Sequence, residues 1–524
     1  MTLIMTTIHP PEYHNHEEYQ RRCKRLQEIQ ELGMDPYPPT FVIEGTLGTL
    51  TAAWEGKELG HSEDAALGKT PPARIAGRLV LFRPMGKNAF GQLQDESGRM
   101  QIMFHRDSTQ VTGLNSPELP PLKFLEKKID LGDFLGCEGF LFRTQKGELT
   151  LFVTQVTLLC KTLLPLPDKH GGVADKGVRY RKRWLDLISH VNVIEIFRLR
   201  SKILQLTRQF FDREGFLEVE TPVLQTAYGG ASAQPFKTHL NALHQDMFMR
   251  ISLEIPLKKL IVGGFLKVFE MGKVFRNEGI DRSHNPEFTE IEAYAAYWDY
   301  NDMMSMTERL FESIALALFG KTQFTVDYEH GSHTIDVKAP WKRLSMKESL
   351  QCYAQIDVDT MNVEEMRGFL LKKGAAREEI EHASRGLLIA ALFEECVEEH
   401  LIQPHHIIDH PIETTPLCKL HRDPTLRKEK FVERFESFIL GTEFCNSYTE
   451  LNDPILQRSL LEAQSQGRDQ EEAPPMDEEF VEAICQGMPP TGGWGMGIDR
   501  FVMLFANAHS IRDVLFFPLM KQEE

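Results

Sequence analysis

Residues 269–298 read FEMGKVFRNEGIDRSHNPEFTEIEAYAAYW, the densest run of unusual chemistry in the chain. Val268, Phe269, Val274 and Phe275 are strand-like and lead to Arg276. A polar, glycine-containing loop follows from Asn277 to Pro286, and a second strand starts near Glu287. Two strands joined this way form an antiparallel hairpin whose ten-residue loop is longer than a hairpin needs. Long loops on rigid strands are where binding groups collect. With a side-chain period of two, Phe288, Glu290, Glu292 and Tyr294 share one face, and Thr289, Ile291, Ala293 and Ala295 share the other. A ring, two carboxylates and a phenol on one face suit ligand binding; a solvated outer face gives the same pattern.

Two later stretches carry comparable chemistry. In GTEFCNSYTELND (441–453), Asn446, Tyr448 and Glu450 share parity, so an amide, a phenol and a carboxylate line up on one strand face. GWGMGIDR (493–500) ends in Arg500 and gives way to the apolar helix FVMLFA. Its glycine pattern alone is a weak nucleotide signal, and the chain holds no GxxxxGK[ST] loop. The histidines at 405, 406 and 410 invite a zinc reading, but loosely spaced histidines beside a strand are more often structural.

Elements able to position these residues can be read along the chain. At 524 residues it should hold two or three domains around a large core. Residues 15–33 form an amphipathic helix closed by Gly33. Five short strands (73–84, 89–97, 98–104, 134–144 and 148–159) with turn signals fit a small barrel of the OB type. Such barrels bind single-stranded nucleic acid by stacking and edge contacts. Phe90 and Gln94, with Arg78 and Arg83 nearby, suit that task, although a lone Phe is more often a core residue. Basic Arg179, Arg181, Lys182 and Arg183 in the junction can lie against RNA phosphates or form a solvated face. Ile196, Leu199, Ile203, Leu206 and Phe210 make a buried helix stripe that ends at Gly215. Residues 345–400 read as a helical insertion, and the acidic tract 463–482 as an exposed loop and helix start.

Composition sets limits. The net charge of −17 weakens an RNA partner without removing it, because basic patches are local. The eight cysteines are scattered, with no CxxC pair, which points to reduced thiols. No apolar run is long enough to span a membrane, and the N-terminal stretch has no signal-peptide pattern. The expected location is cytoplasmic.

FRNEG followed by SHNPEFTEIE resembles motif 2 of the class II aminoacyl-tRNA synthetases, in its lysyl form. GTEFCNSYTELND is similar to that family's lysine-pocket strand, GWGMGIDR to its motif 3, and PLPDKHGGVADKGVRYRKRWLDLI (165–188) to its domain junction. The resemblance runs from about residue 20 to the C-terminus. It implies an α+β fold: an N-terminal OB-type β-barrel, then a class II synthetase catalytic domain, an antiparallel sheet flanked by helices, with the helical insertion. The expected domains are a helical extension (1–72), an anticodon-binding OB fold (73–162), a hinge (163–190) and the catalytic domain (191–524).

The resemblance also implies the reaction: ATP-dependent ligation of L-lysine to tRNA(Lys) through a lysyl-adenylate, releasing AMP and pyrophosphate. It assigns Arg276 to the α-phosphate and substrate carboxylate and Arg500 to the γ-phosphate, with guanidinium forks matching phosphate oxygens. Glu278, His284, Asn285 and Phe288 surround the ATP, Phe288 stacking on the base and His284 donating to a phosphate. Glycines 493, 495 and 497 let the backbone lie close under the nucleotide. Glu436 and Glu443 are the implied Mg2+ ligands. Seven residues along one unbroken strand would put them on opposite faces, so Gly441 must mark a bulge or turn. Glu450 is the implied partner of the lysine ε-ammonium, with Asn446, Tyr294 and Tyr448 shaping the channel. Glu292, Gly230 and Glu254 hold the α-amino end. Glu254 can equally be a helix N-terminal acid. Arg78, Phe90 and Gln94 become anticodon contacts, and the Thr221-Pro222 region resembles motif 1, the family's homodimer interface. A helix buried within a monomer would show the same stripe.

This chain departs from the pattern at two positions: Gln234 stands where relatives usually carry Arg, and Glu290 where they have a smaller or apolar residue. An aspartate or asparagine relative would need a cation facing the side chain, and the 441–453 strand offers none. An RNA-binding module with an inert catalytic half is opposed by Arg276, Glu443 and Arg500. A paralogue acting on a protein lysine usually lacks the barrel that residues 73–159 supply.

Overall fold

The computed structural model describes residues 11–167, 173–231, 233–328, 331–466 and 476–521. The chain divides into two compact units, Met1–Ile194 and Glu195–Glu524. This division falls slightly after the expected end of the hinge, inside a continuous helix.

In the first unit, helix α1 (Glu17–Glu31) opens on Glu17 and Glu18, as the helix dipole favours, and Gly33 follows at φ +75°. Its Arg22 donates to Thr162 Oγ1 at 2.8 Å, and its Arg25 pairs with Asp130, which with Asp133 also holds buried Lys161. The barrel strands are β1 (Pro72–Met85), β2 (Asn88–Asp95), β3 (Gly98–His105), β4 (Phe134–Arg143) and β5 (Leu149–Cys160). They lie within about a residue or two of the predicted spans. They pair in the order β3-β2-β1-β4-β5, and β3 closes the barrel on β5 in parallel register, Gln101 opposite Thr150. Alternate residues such as Ala73, Ile75 and Leu79 point into the barrel core.

The three residues expected to touch bases are differently placed. Phe90 is half-buried on the barrel's outer side against Ala65, Met103, Phe142 and Phe152. Arg78 and Gln94 face each other across β1 and β2, and both are engaged within the protein. Arg78 donates to the Gly132 carbonyl at 3.0 Å, and the Gln94 side chain accepts from Arg99 at 2.7 Å. Arg83, opposite Phe90, is exposed. In the junction, Arg183 is buried and ion-paired with Asp186 at 2.7 Å, so it belongs neither to a solvated face nor to a phosphate surface. Residues 168–172 of that stretch lie outside the described residues, as does part of the acidic tract.

The second unit is built on an eight-stranded sheet. Its strands are β6 (Leu217–Glu218), β7 (Lys267–Phe275), β8 (Glu287–Ala296), β9 (Lys342–Ser345), β10 (His405–Pro411), β11 (Phe431–Ile439), β12 (Thr442–Thr449) and β13 (Thr491–Gly497). The order is β9-β10-β11-β12-β13-β8-β7-β6, antiparallel except at the two outer pairs. Helices α2 (Val191–Arg213), α4 (Tyr300–Phe319) and α5 (Ile498–Ala506) cover one face, with α3 (Glu254–Val262) against the other. Phe211, Phe311 and Phe501 from the covering helices meet Ile291, Ala293 and Trp494 from the sheet. A fully buried Phe or Ile stabilises by roughly 1.5–3 kcal/mol. This face therefore carries the stability and leaves the opposite one free to be polar. The predicted insertion folds as short helices, among them Val363–Lys373 and Arg385–Cys396, around a separate small core. His405, His406 and His410 are each hydrogen-bonded internally, to Tyr353, to Ser437 and to the Ile407 carbonyl.

Candidate functional site

The hairpin of β7 and β8 is paired along its whole length, from Lys267 opposite Ala295 to Phe275 opposite Glu287. The predicted alternation holds: Ile291, Ala293 and Ala295 are fully buried in the core, while Phe288, Glu290, Glu292 and Tyr294 line a cleft of about 940 Å³. Register then builds the floor. Glu436, Asn446, Gly495 and Glu292 stand opposite one another across four strands, and Arg434, Tyr448, Gly493 and Tyr294 form the next row. The β13 glycines differ in need. A Cβ on Gly493 would lie 1.9 Å from Glu450 Oε1 and 2.6 Å from Tyr294, whereas one on Gly497 would meet nothing.

One end of the cleft is cationic and partly open. Arg276, just beyond β7, donates from Nε to the Ile251 carbonyl at 3.1 Å, and its guanidinium carbon lies 5.0 Å from the Phe288 ring centre. Its nearest carboxylate is Glu290, at 3.7 Å. Burial pushes the Glu290 carboxyl up, with Arg276 acting the other way. Glu290 Oε2 has no hydrogen-bond partner among the described residues. Arg500, in the first turn of α5, donates to the Glu443 carbonyl at 3.0 Å. It also reaches His284 Nε2 at 3.2 Å. A guanidinium only donates, so this nitrogen accepts, and the ring proton sits on Nδ1, bonded to Asp281 at 2.7 Å. His284 was expected to donate to a phosphate; as held here it has no free donor and instead aims Arg500. Asn285 is buried with an unpartnered Oδ1, while Glu278 is exposed at the rim. Gln234 is exposed too, and its carbonyl accepts from Asn277 N at 2.8 Å.

Glu436 and Glu443 both line the cleft. The turn at Gly441 solves the parity problem, and a bulge after it brings Asn446 opposite Glu436. Leu440 and Gly441 take φ of +54° and +60° in the turn between β11 and β12, the left-handed pair a tight hairpin needs. Cys445 then pairs with Ser437 and Glu443 with Phe438, so Phe444 is an extra, bulged residue. Partial burial and the negative charge of Glu436 push the Glu443 carboxyl up to about 7. Two acids that repel each other in this way are a donor set that suits a hard divalent cation.

The other end is acidic and closed. Glu292 accepts from Leu253 N at 2.7 Å and from the Tyr294 hydroxyl at 2.8 Å. Burial, helped by Glu290 and Glu254, holds its carboxyl well above the ordinary range. Glu254 opens α3 and accepts from the Tyr448 hydroxyl at 2.7 Å, while Gly230 lies against it and Ser252. Asn446 Oδ1 accepts from Arg434 at 3.1 Å. Glu450, just past β12, is 1 % exposed. Neither of its oxygens has a hydrogen bond among the described residues, although Lys258 of α3 makes direct ionic contact with one. Burial pushes the Glu450 carboxyl up to about 8 even against that lysine.

Residues 175–521 match the family model for class II tRNA synthetases (D, K and N), and residues 73–159 match that for the OB-fold nucleic acid binding domain. The chain belongs to the class II tRNA synthetases of the D, K and N group. Within this class it is 55 % identical to a lysine–tRNA ligase of Chlamydia pneumoniae, over 98 % of both chains. A lysine–tRNA ligase of Staphylococcus epidermidis is 43 % identical over 97 % of this chain and 99 % of its own. The lysine–tRNA ligase 2 of Methanosarcina acetivorans is also 43 % identical, over 96 % and 94 %. Two residues of this synthetase site escaped the sequence reading. Arg434 joins Glu436 and Asn446, and Lys258 sits four residues after Glu254, a spacing that puts both on one helix face. The aspartate alternative needs a facing cation, which the 441–453 strand lacks; Lys258 is one, supplied by a helix, and it is outnumbered by two carboxylates.

Proposed function

We propose that this synthetase ligates L-lysine to tRNA(Lys) through a lysyl-adenylate. One observation carries the amino-acid assignment: a fully buried carboxylate, Glu450, that meets the Lys258 ammonium but makes no aligned hydrogen bond, at the acidic end of a cleft whose far end presents two guanidinium groups. A buried charge of this kind costs several kcal/mol unless a ligand supplies donors, and an ε-ammonium supplies three. The acids Glu254, Glu290 and Glu292 suit the α-ammonium, and Tyr294, Tyr448 and Asn446 flank the stem.

In the reaction, a lysine carboxylate oxygen attacks the α-phosphorus of ATP and the bond to pyrophosphate breaks. In this reading Arg276 neutralises charge on the α-phosphate and orients the carboxylate, and Arg500, held by His284, takes the γ-phosphate. Positioning and charge stabilisation suffice for this chemistry. Phe288 offers the adenine a stacking face, and Asn285 Oδ1 an acceptor. Glu436 and Glu443 would hold Mg2+, which neutralises the triphosphate. A terminal ribose hydroxyl of the tRNA then attacks the acyl carbon and AMP leaves. The barrel, 73–162, is the anticodon-binding domain in this reading, with Phe90 and exposed Arg83 better presented than Arg78 or Gln94. A homodimer is supported by exposed apolar side chains near one end of the sheet: Leu217 on edge strand β6, Phe265 and Leu266 just before β7, and Tyr297 just past β8. Among the described residues no helix is long and apolar enough to cross a membrane, which accords with a cytoplasmic enzyme.

The test is pyrophosphate exchange into ATP across the amino acids, followed by charging of tRNA(Lys). Lysine alone should drive strong exchange. Exchange driven by aspartate or asparagine, or by no amino acid, sinks the assignment.

A further inference from the structure

Lys258 is completely buried, and its ammonium touches Glu254 Oε1 and Glu450 Oε2. The rings of Tyr448, Phe480 and Tyr294 lie 5.4, 5.7 and 6.0 Å from it. The two acids are not equivalent. Glu254 Oε1 also accepts the Tyr448 hydroxyl at 2.7 Å, so it is satisfied within the protein. Glu450 meets Lys258 without an aligned hydrogen bond, and its Oε1 overhangs Gly493 on the floor of the cleft. The groups facing Glu450 are Lys258 and Glu254 from α3, Tyr294 from β8, Tyr448 from β12, and Cys418, whose backbone bridges to it. In the charged state this cluster has two carboxylates for one ammonium. It is short of one positive charge, and two oxygens are engaged by neither Lys258 nor Tyr448: Glu254 Oε2, on the Gly230 side where the α-ammonium is assigned, and Glu450 Oε1, over the cleft-lining Gly493.

We infer that Lys258 is a specificity-determining, positioning residue: a resident ammonium that fixes Glu450 by one oxygen and leaves the other for the side-chain ammonium of the substrate. The inference rests on the lysine reading of the same site. Without a cation in place, two acids buried so close together protonate rather than share the charge. A neutral Glu450 would accept an uncharged chain end nearly as well as a charged one. Lys258 thus draws Glu450 toward its ionised form, yet cannot satisfy it, because Glu254 takes part of its charge. A purely structural ion pair would serve the fold without touching amino-acid choice.

The test is lysine-dependent exchange by Lys258→Met and Lys258→Arg, with norleucine, the uncharged isostere, as the competing substrate. For Lys258→Met the lysine KM should rise roughly a hundredfold, as expected when one partner of a buried pair is removed. The ATP KM should stay within about threefold, and the preference for lysine over norleucine should narrow by at least about tenfold. The pH at which lysine KM levels off should move upward in Lys258→Met and not in Lys258→Arg, since guanidinium keeps the charge. If Lys258→Met is recovered unfolded, Lys258→Arg carries the test. Its wider fork engages both Glu450 oxygens, so lysine KM should rise at least about tenfold with ATP KM unchanged. Unaltered lysine KM in a folded variant, or equal losses toward lysine and ATP with the norleucine ratio intact, overturns the inference alone. Absence of lysine-dependent exchange in the unsubstituted protein brings down the function and the inference together.

Discussion

The two ends of the cleft are built to opposite standards. At the acidic end, Glu254, Lys258, Glu292, Tyr294, Tyr448 and Glu450 are 0–9 % exposed and locked by contacts to one another. At the cationic end, the side chains of Arg500, Arg276, Glu443 and His284 are 25–56 % exposed. There the guanidinium groups make mostly single bonds to carbonyls, or a carboxylate contact of 3.7 Å. Choosing an amino acid requires a pocket whose charges are desolvated before the substrate arrives, because a wet carboxylate discriminates poorly. Binding a triphosphate requires arms that can close on it, and a strongly charged ligand tolerates wetter contacts. On the proposed function the acidic end is therefore preorganised, and the cationic end is the one that would complete itself on the nucleotide.

The sharpest way to break that contrast is at Arg276. Arg276→Ala should lower kcat for lysine-dependent exchange about 10²–10³-fold, the usual cost of one preorganised charge-stabilising donor, while leaving lysine binding by calorimetry near normal. Arg276→Lys should recover only part, since a point charge does not replace a fork. A large loss of lysine affinity would mean that the two ends are one network.

Glu450→Gln probes the opposite side. Removing the carboxylate strands Lys258 with Glu254 alone and should raise lysine KM by roughly a hundredfold, with ATP KM little changed. An unchanged lysine KM would take Glu450 out of the pocket.

Parts of this contrast were legible in the residues and parts were not. Alternation in β8 gave the cleft face correctly, because Ile291, Ala293 and Ala295 must go to the core and period two sends the rest the other way. The barrel strands were legible for the same reason. What alternation cannot show is which element approaches from elsewhere. Lys258 is one of two adjacent lysines in PLKKL, and only the packing of α3 onto β7 and β8, with Glu450 reaching in from just past β12, turns it inward. A bulge or turn at Gly441 was demanded by parity and the turn is there, whereas the further bulge at Phe444 is set by pairing with Ser437 and Phe438. Arg78 and Gln94 were expected to be free for bases, but neighbouring Gly132 and Arg99 occupy them. His284 was read as a phosphate donor because its tautomer is decided by Asp281 and Arg500, which are distant from each other in sequence.

The pH response separates the ends more gently. Burial raises the Glu450 carboxyl to about 8, and only its ionised form can pair with an ammonium. Lysine KM should therefore be high at acidic pH and fall as pH rises, by about fivefold between pH 7 and 8, before levelling. The sign is opposite to that of a site needing a protonated acid, so a lysine KM that rises over this interval would contradict the assignment.

His284 should matter least. It does not carry charge to the ligand in this arrangement; it accepts from Arg500 Nη2 at 3.2 Å and is itself held by Asp281. Losing one such bond at a half-exposed position is worth about 1 kcal/mol or less. His284→Ala should thus raise ATP KM by about threefold and leave lysine KM alone, because nothing in the closed acidic network touches it. A loss as large as that of Arg276→Ala would show that the cationic end is as rigidly preorganised as the acidic one. Exposure would then be a poor guide to which charges are held in place before the nucleotide arrives.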